Sequence, residues 1–123
     1  MALKQGNIVQ AKAASAAYTD TTAKLLFELP SNTMIMGAEI TGTASNAATT
    51  GVLTLYSQEV GSSTSAAAFA VFDAKTATGV TDLATLSGIA FSRTSKPVRI
   101  TAIYTETGTA ATAGAWTVIV KFM

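Results

Sequence analysis

Lys24–Thr43 reads KLLFELPSNTMIMGAEITGT, and its alternation decides the fold class. In the first half Leu25, Phe27 and Leu29 alternate with Lys24, Leu26 and Glu28. In the second, Met34, Met36, Ala38 and Ile40 alternate with Ile35, Gly37, Glu39 and Thr41. Between them stands Pro30-Ser31-Asn32-Thr33. Proline presets the backbone angle of an early turn position, and serine and asparagine bond their own backbone nearby. A period of two on either side of a turn predicts two strands, each with one buried face. They join as a β-hairpin or as a strand, a corner and a second strand.

The same period recurs downstream. Gly51–Ser57 is expected as a strand with Leu53 and Leu55 on one face and Val52, Thr54 and Tyr56 on the other. Ala68–Asp73 is read as a strand although Phe69 and Phe72 stand three apart, a spacing that also suits a helix. Short strands are expected over Val80–Ala84 and Ile89–Phe91. Pro97 opens Val98–Thr105, with Val98, Ile100, Ala102 and Tyr104 on one face, since a missing donor is tolerated at a strand start. Ala115–Met123 closes the chain with Trp116, Val118, Val120 and Phe122 inward. About eight strands separated by turn signals predict an all-β, antiparallel sandwich of jelly-roll type over residues 21–123.

Residues 1–20 differ. Ala11–Ala17 is nearly all alanine, which suits a short helix by propensity but offers no apolar stripe to dock one. An extended N-terminal arm is expected instead, with a short strand near Asn7–Lys12.

Hydrophobic residues make up 49% of the 123-residue chain and charged residues 12%, about half the usual share. Alanine and threonine together exceed a third of it. A weakly charged surface of small side chains suits coverage by partner subunits, the plain alternative being a monomer with an Ala/Thr-rich exterior. The net charge of +1 offers no footprint for nucleic acid or an anionic membrane. Arg93, Lys96 and Arg99 form the one loose basic grouping, which suits a solvated loop and strand start. MALKQGNIVQ lacks an apolar signal core and no run approaches the length of a membrane span, so synthesis in a cytoplasm is expected.

With no histidine and no cysteine, Ser-His-Asp and Cys-His mechanisms and His/Cys zinc sites are ruled out. Glu28 and Glu39 flank the opening hairpin and form the one conceivable carboxylate pair, but few aromatics are available for a sugar platform. Asp73 and Asp82 lack a calcium-loop spacing. No Ser stands in G-x-S-x-G, and GSSTS (61–65) lacks the lysine of a phosphate loop. No catalytic residue, metal or cofactor is expected.

The outline F-E-L-P-S-N-T-M-I-M-G-A-E-I-T, then V-L-T-L-Y-S, then the closing A-G-A-W-T-V-I-V-K-F resembles small structural proteins of tailed-bacteriophage virions, in particular jelly-roll capsid decoration (cement) proteins. The resemblance covers residues 23–123 and is sharpest at Leu29–Ile35 and Thr109–Phe122. It implies binding to the outer surface of the phage head, with the major capsid protein and copies of itself, in a dimer or trimer, as partners. It also implies residence on the virion after synthesis in the host cytoplasm. Head-fibre and tail-associated modules that bind a receptor or glycan share the outline and form the alternative. Exposed tyrosines clustered on loops would mark that second class, and Tyr18, Tyr56 and Tyr104 are those available. Within the arm, Leu3, Lys4, Ile8, Val9, Lys12 and Tyr18 are the candidate contact residues.

Overall fold

A computed structural model describes residues 9–75, 79–83, 85–86, 89 and 92–123. Nine strands are found among them: β1 (Gln10–Ala17), β2 (Lys24–Leu29), β3 (Ile35–Thr43), β4 (Thr50–Glu59), β5 (Ala67–Asp73), β6 (Gly79–Leu83), β7 (Thr85–Leu86), β8 (Val98–Thr107) and β9 (Ala115–Phe122). One sheet has the order β1-β9-β3-β6 and the other β2-β8-β4-β5-β7, with every pairing antiparallel.

The pairings nest: β1 with β9, β2 with β8, β3 with β6, β4 with β5. The chain is thus one long antiparallel ribbon rolled over a core, the jelly-roll arrangement. Burial drives the rolling. A strand with one apolar face needs a second layer, and each half of the ribbon supplies the cover for the other.

The opening stretch is a corner rather than a hairpin. β2 pairs with β8 in one sheet and β3 with β9 in the other, so Pro30–Thr33 carries the chain across the sandwich. Asn32 takes the left-handed conformation (φ 60°), which asparagine tolerates. The buried Thr33 holds the corner: its hydroxyl donates to the Pro30 carbonyl, and its N–H donates to Thr94 Oγ1 at 3.2 Å. Met34 and Met123 exchange backbone bonds of 2.9 and 3.0 Å, which closes the ribbon at this end.

Three bulges change which side chains face inward. Pairing of β3 with β9 shifts between Ile35 and Gly37, so Ile35, Ala38 and Ile40 are buried while Met34 and Met36 are half-buried. Neither of the two alternating rows is buried throughout, since the core takes Ile35 from one and Ala38 and Ile40 from the other. In β2 the shift between Leu25 and Phe27 leaves Leu25 55% exposed, where strict alternation places it beside the buried Leu29. In β5 the shift lies at Phe69, which sits between the residues paired with Leu55 and Tyr56. Phe69 and Phe72 are consequently both buried, so their helix-like spacing is a bulged strand.

The expected faces of β4, β8 and β9 hold residue by residue. Leu53, Leu55, Val98, Ile100, Ala102, Tyr104, Trp116, Val118, Val120 and Phe122 form most of the core with Ile35, Ile40 and Phe72. Trp116 stacks on Tyr104 with ring centroids 5.7 Å apart. Gly42 is required where β3 passes β9, because an added Cβ would stand 2.1 Å from the Ala115 carbonyl oxygen.

The expected arm, 1–20, is in its described part a strand of the sandwich. All eight residues of β1 stand in register with β9, Ala16 is buried, and Tyr18 N–H donates to the Gly114 carbonyl at 3.0 Å. Asn7 and Ile8 of the expected Asn7–Lys12 strand lie outside the described residues, and the strand overlaps its end and continues to Ala17. The expected short strand at Val80–Ala84 corresponds to β6, whereas Ala90 and Phe91 of the expected Ile89–Phe91 strand lie outside the described residues.

Candidate interaction surface

Two features of the sandwich can carry contacts with other chains: the outer face of the five-stranded sheet and the free edge of β1. The outer face is organised in rows across β2, β8, β4 and β5. One row aligns Leu25, Thr101, Tyr56 and Ala68, and the next aligns Ile103, Thr54 and Val71. Neither row contains a charge, and Leu25 and Val71 are 55% and 44% exposed. The flanking row Glu28, Arg99, Gln58 bears an ion pair, Arg99 Nε to Glu28 Oε1 at 3.4 Å. On the other side the row ends at Asp73. An uncharged centre within a polar rim is the usual anatomy of a protein interface. The outer face of the other sheet differs, since Lys121 and Glu39 pair there at 3.5 Å.

One end of the sandwich is tied by a buried polar chain. Ala47 N–H donates to Ser45 Oγ at 3.2 Å, Ser45 Oγ and the Tyr104 hydroxyl share a hydrogen bond, and that hydroxyl donates to Glu106 Oε2 at 3.0 Å. The same carboxylate oxygen accepts from Ala111 N–H at 3.0 Å. Asn46 extends the tie, its Oδ1 accepting from the N–H groups of Thr112 and Ala113 at 2.8 and 3.0 Å. The β3–β4 and β8–β9 loops are therefore clasped by side chains as well as backbone. Burial pushes the Tyr104 phenol above its ordinary pKa; the Ser45 hydrogen bond opposes this, and the Glu106 carboxylate reinforces it. Every member of this chain has a hydrogen-bond partner within the clasp.

Of the six candidate arm residues, the three described ones, Val9, Lys12 and Tyr18, stand apart from one another. Leu3, Lys4 and Ile8 lie outside the described residues. Val9 is 55% exposed just before β1. Lys12 turns across the sandwich, its ammonium donating to the Glu28 carbonyl at 2.8 Å. Tyr18 packs on the core beyond the far end of β1.

Other candidates separate likewise. Glu28 and Glu39 stand in different sheets, each with its own cation. Asp73 and Asp82 are on β5 and β6, again in different sheets. Arg93 donates to the Asn32 carbonyl at 2.8 Å, and Lys96 and Arg99 pair with Glu59 and Glu28, so the basic trio is spread over separate partners. Tyr104 is core, Tyr18 packs against the core, and Tyr56 lies half-buried on β4, so the tyrosines share no loop. Among the described residues no helix is long and apolar enough to cross a membrane. The outer-face rows escaped sequence reading because they depend on the partner of each strand. The signal available was the charge-free run of outward positions on β4 and β8.

The fold defined here is a single jelly-roll sandwich. It is similar to a chain of the cyanophage Pam1 capsid asymmetric unit at 20% identity and a TM-score of 0.63, over 99% of this chain and 89% of that one. A chain of infectious bursal disease virus, Gx strain, matches at 14% identity and a TM-score of 0.47; this chain spans 37% of its length. No protein-family profile and no curated protein sequence matches.

Proposed function

We propose that this chain is a non-enzymatic structural protein of a virion, a decoration or cement protein that binds the outer surface of a phage head. One observation carries the reading. The likeness to the chain of the Pam1 capsid asymmetric unit covers 99% of this chain and 89% of that one, so it extends over nearly the whole of both rather than over one part of a much longer chain. The low charge and the absence of His and Cys agree with a role in adhesion.

In this reading the uncharged rows of β2, β8, β4 and β5 face the major capsid protein. Threonine, alanine and valine lose little rotamer freedom on contact, so a surface of them suits dense packing. Copies of the chain associate with one another around that contact, which multiplies weak interactions over the lattice.

The test is co-sedimentation of the chain with shells of its capsid protein. Wild type is expected in the shell pellet. Thr54→Glu, which places a charge at the centre of the outer face, is expected to remain soluble with an unchanged β-sheet spectrum and to stay in the supernatant. Failure of the wild type to pellet refutes the decoration reading, and undiminished binding by Thr54→Glu refutes the chosen face. Deleting residues 1–20 is a poor probe, because it removes β1 and uncovers β9.

A further inference from the structure

Among the described residues the two sheets have four edges, β1 and β6 on one and β2 and β7 on the other. An open strand edge offers unpaired N–H and C=O groups to any other strand, and folded proteins blunt such edges with bulges, charges, proline or brevity. Three edges here are blunted. β2 is bulged, carries Lys24 and Glu28, and runs into Pro30. β6 has five residues, includes Asp82, and meets β3 through a register shift. β7 has two residues among those described.

β1 has none of these guards. Its eight residues, QAKAASAA, contain no proline or glycine and pair with β9 without a register shift. Gln10–Ala13 and Ser15 are exposed. Its single charge, Lys12, shares the inward parity of Ala14 and Ala16 and is drawn over the sandwich to the Glu28 carbonyl. The side chain is exposed, but its ammonium is held against β2 instead of projecting outward along the β1 edge.

We propose that β1 is a self-pairing edge: two copies join antiparallel along it about a two-fold axis, fusing their four-stranded sheets into one of eight strands. Self-complementarity selects a second copy as the occupant. A pair centred on Ala13, the midpoint of Val9–Ala17, sets Lys12 opposite Ala14 of the other copy, Ala11 opposite Ser15, and the exposed Val9 opposite Ala17. Within Val9–Ala17 no like charges face each other, and each of the longer side chains, Val9, Gln10 and Lys12, faces an alanine. Such an interface is isologous and closes at two, so it yields a dimer rather than a fibre. It deepens the self-association proposed above and needs no capsid protein to be tested.

The chain has no cysteine, so one introduced thiol reports the register. In Ala13→Cys the two thiols stand directly opposite, and mild oxidation is expected to yield a covalent dimer. In Ala11→Cys they are four residues apart in register and are expected to remain uncoupled. Light scattering of the unmodified chain at high concentration is expected to give twice the protomer mass. Ala13→Lys puts like charges opposite at an exposed position and is expected to weaken the dimer by about fivefold or more without altering the fold. A monomer at high concentration, equal coupling at positions 11 and 13, or an unweakened Ala13→Lys dimer each overturns the proposal. Coupling of Ala13→Cys only to shell protein does so too, in favour of a capsid strand on that edge. Failure of shell binding alone would refute the decoration reading and leave this one standing.

Discussion

Tyr104→Phe tests how the loop end of the sandwich is held. The substitution keeps the ring, and with it the stacking on Trp116 at 5.7 Å, and removes only the hydroxyl. That hydroxyl is the link between the Ser45 hydroxyl and the Glu106 carboxylate. A hydrogen bond to a charged acceptor contributes about 1.5–3 kcal/mol, and stranding a buried polar group costs about 1–3 kcal/mol. Ser45 is buried and keeps only the Ala47 N–H as a partner for its oxygen, whereas Glu106 retains the Ala111 N–H. A loss of about 3 kcal/mol is therefore expected. Stability near 0.1 kcal/mol per residue totals about 12 kcal/mol for a chain of this length, so the fold survives. At about 4 °C per kcal/mol the melting point falls by ~12 °C.

The assay is urea denaturation at fixed protomer concentration, since dimerisation would make stability concentration-dependent. Adding Ser45→Ala to Tyr104→Phe is expected to cost less than the sum of the two single changes, by about 1–2 kcal/mol, because the stranded hydroxyl is then gone. A Tyr104→Phe variant within about 0.5 kcal/mol of wild type, or strict additivity in the cycle, would refute the clasp.

Two further predictions concern the same core. Ile35→Ala is expected to cost about 2–5 kcal/mol and Met36→Ala under about 1 kcal/mol, because the β3 bulge turns Ile35 inward; the opposite order in denaturant titrations would show that the bulge is absent. At alkaline pH, burial raises the folded-state pKa of Tyr104 above its unfolded value of about 10, so the folded protein holds that proton more tightly. This contribution is complete below the unfolded value and is lost as pH rises through the folded one. Wild type should lose stability above pH ~10 more steeply than Tyr104→Phe, and equal slopes would contradict the assignment.

Strands whose pairing is regular on the inward face were legible in the sequence. β4, β8 and β9 contain no inserted residue themselves, and β4–β8 and β1–β9 pair without a shift, so period two named their buried residues from Leu53 to Phe122. Composition likewise ruled out His- and Cys-based chemistry before any fold was known. Alternation ceased to predict burial wherever a bulge inserted one residue, at Leu26, Met36 and Phe69, because one extra residue reverses every side chain beyond it. A bulge depends on the partner strand, which lies far away in sequence.

The corner at Pro30–Thr33 shows the same division. Turn residues announced a change of direction, but Thr94 and Met123, more than sixty residues on, determine that β2 and β3 join different sheets. The alanines of β1 carry too little apolar surface to declare a strand, and their register on β9 made them one. The proposed surfaces also belong to the tertiary structure, since an uncharged face and an unguarded edge arise only when strands distant in sequence lie side by side. Local pattern determined which segments are strands and most of what they bury; long-range pairing decided what they leave exposed.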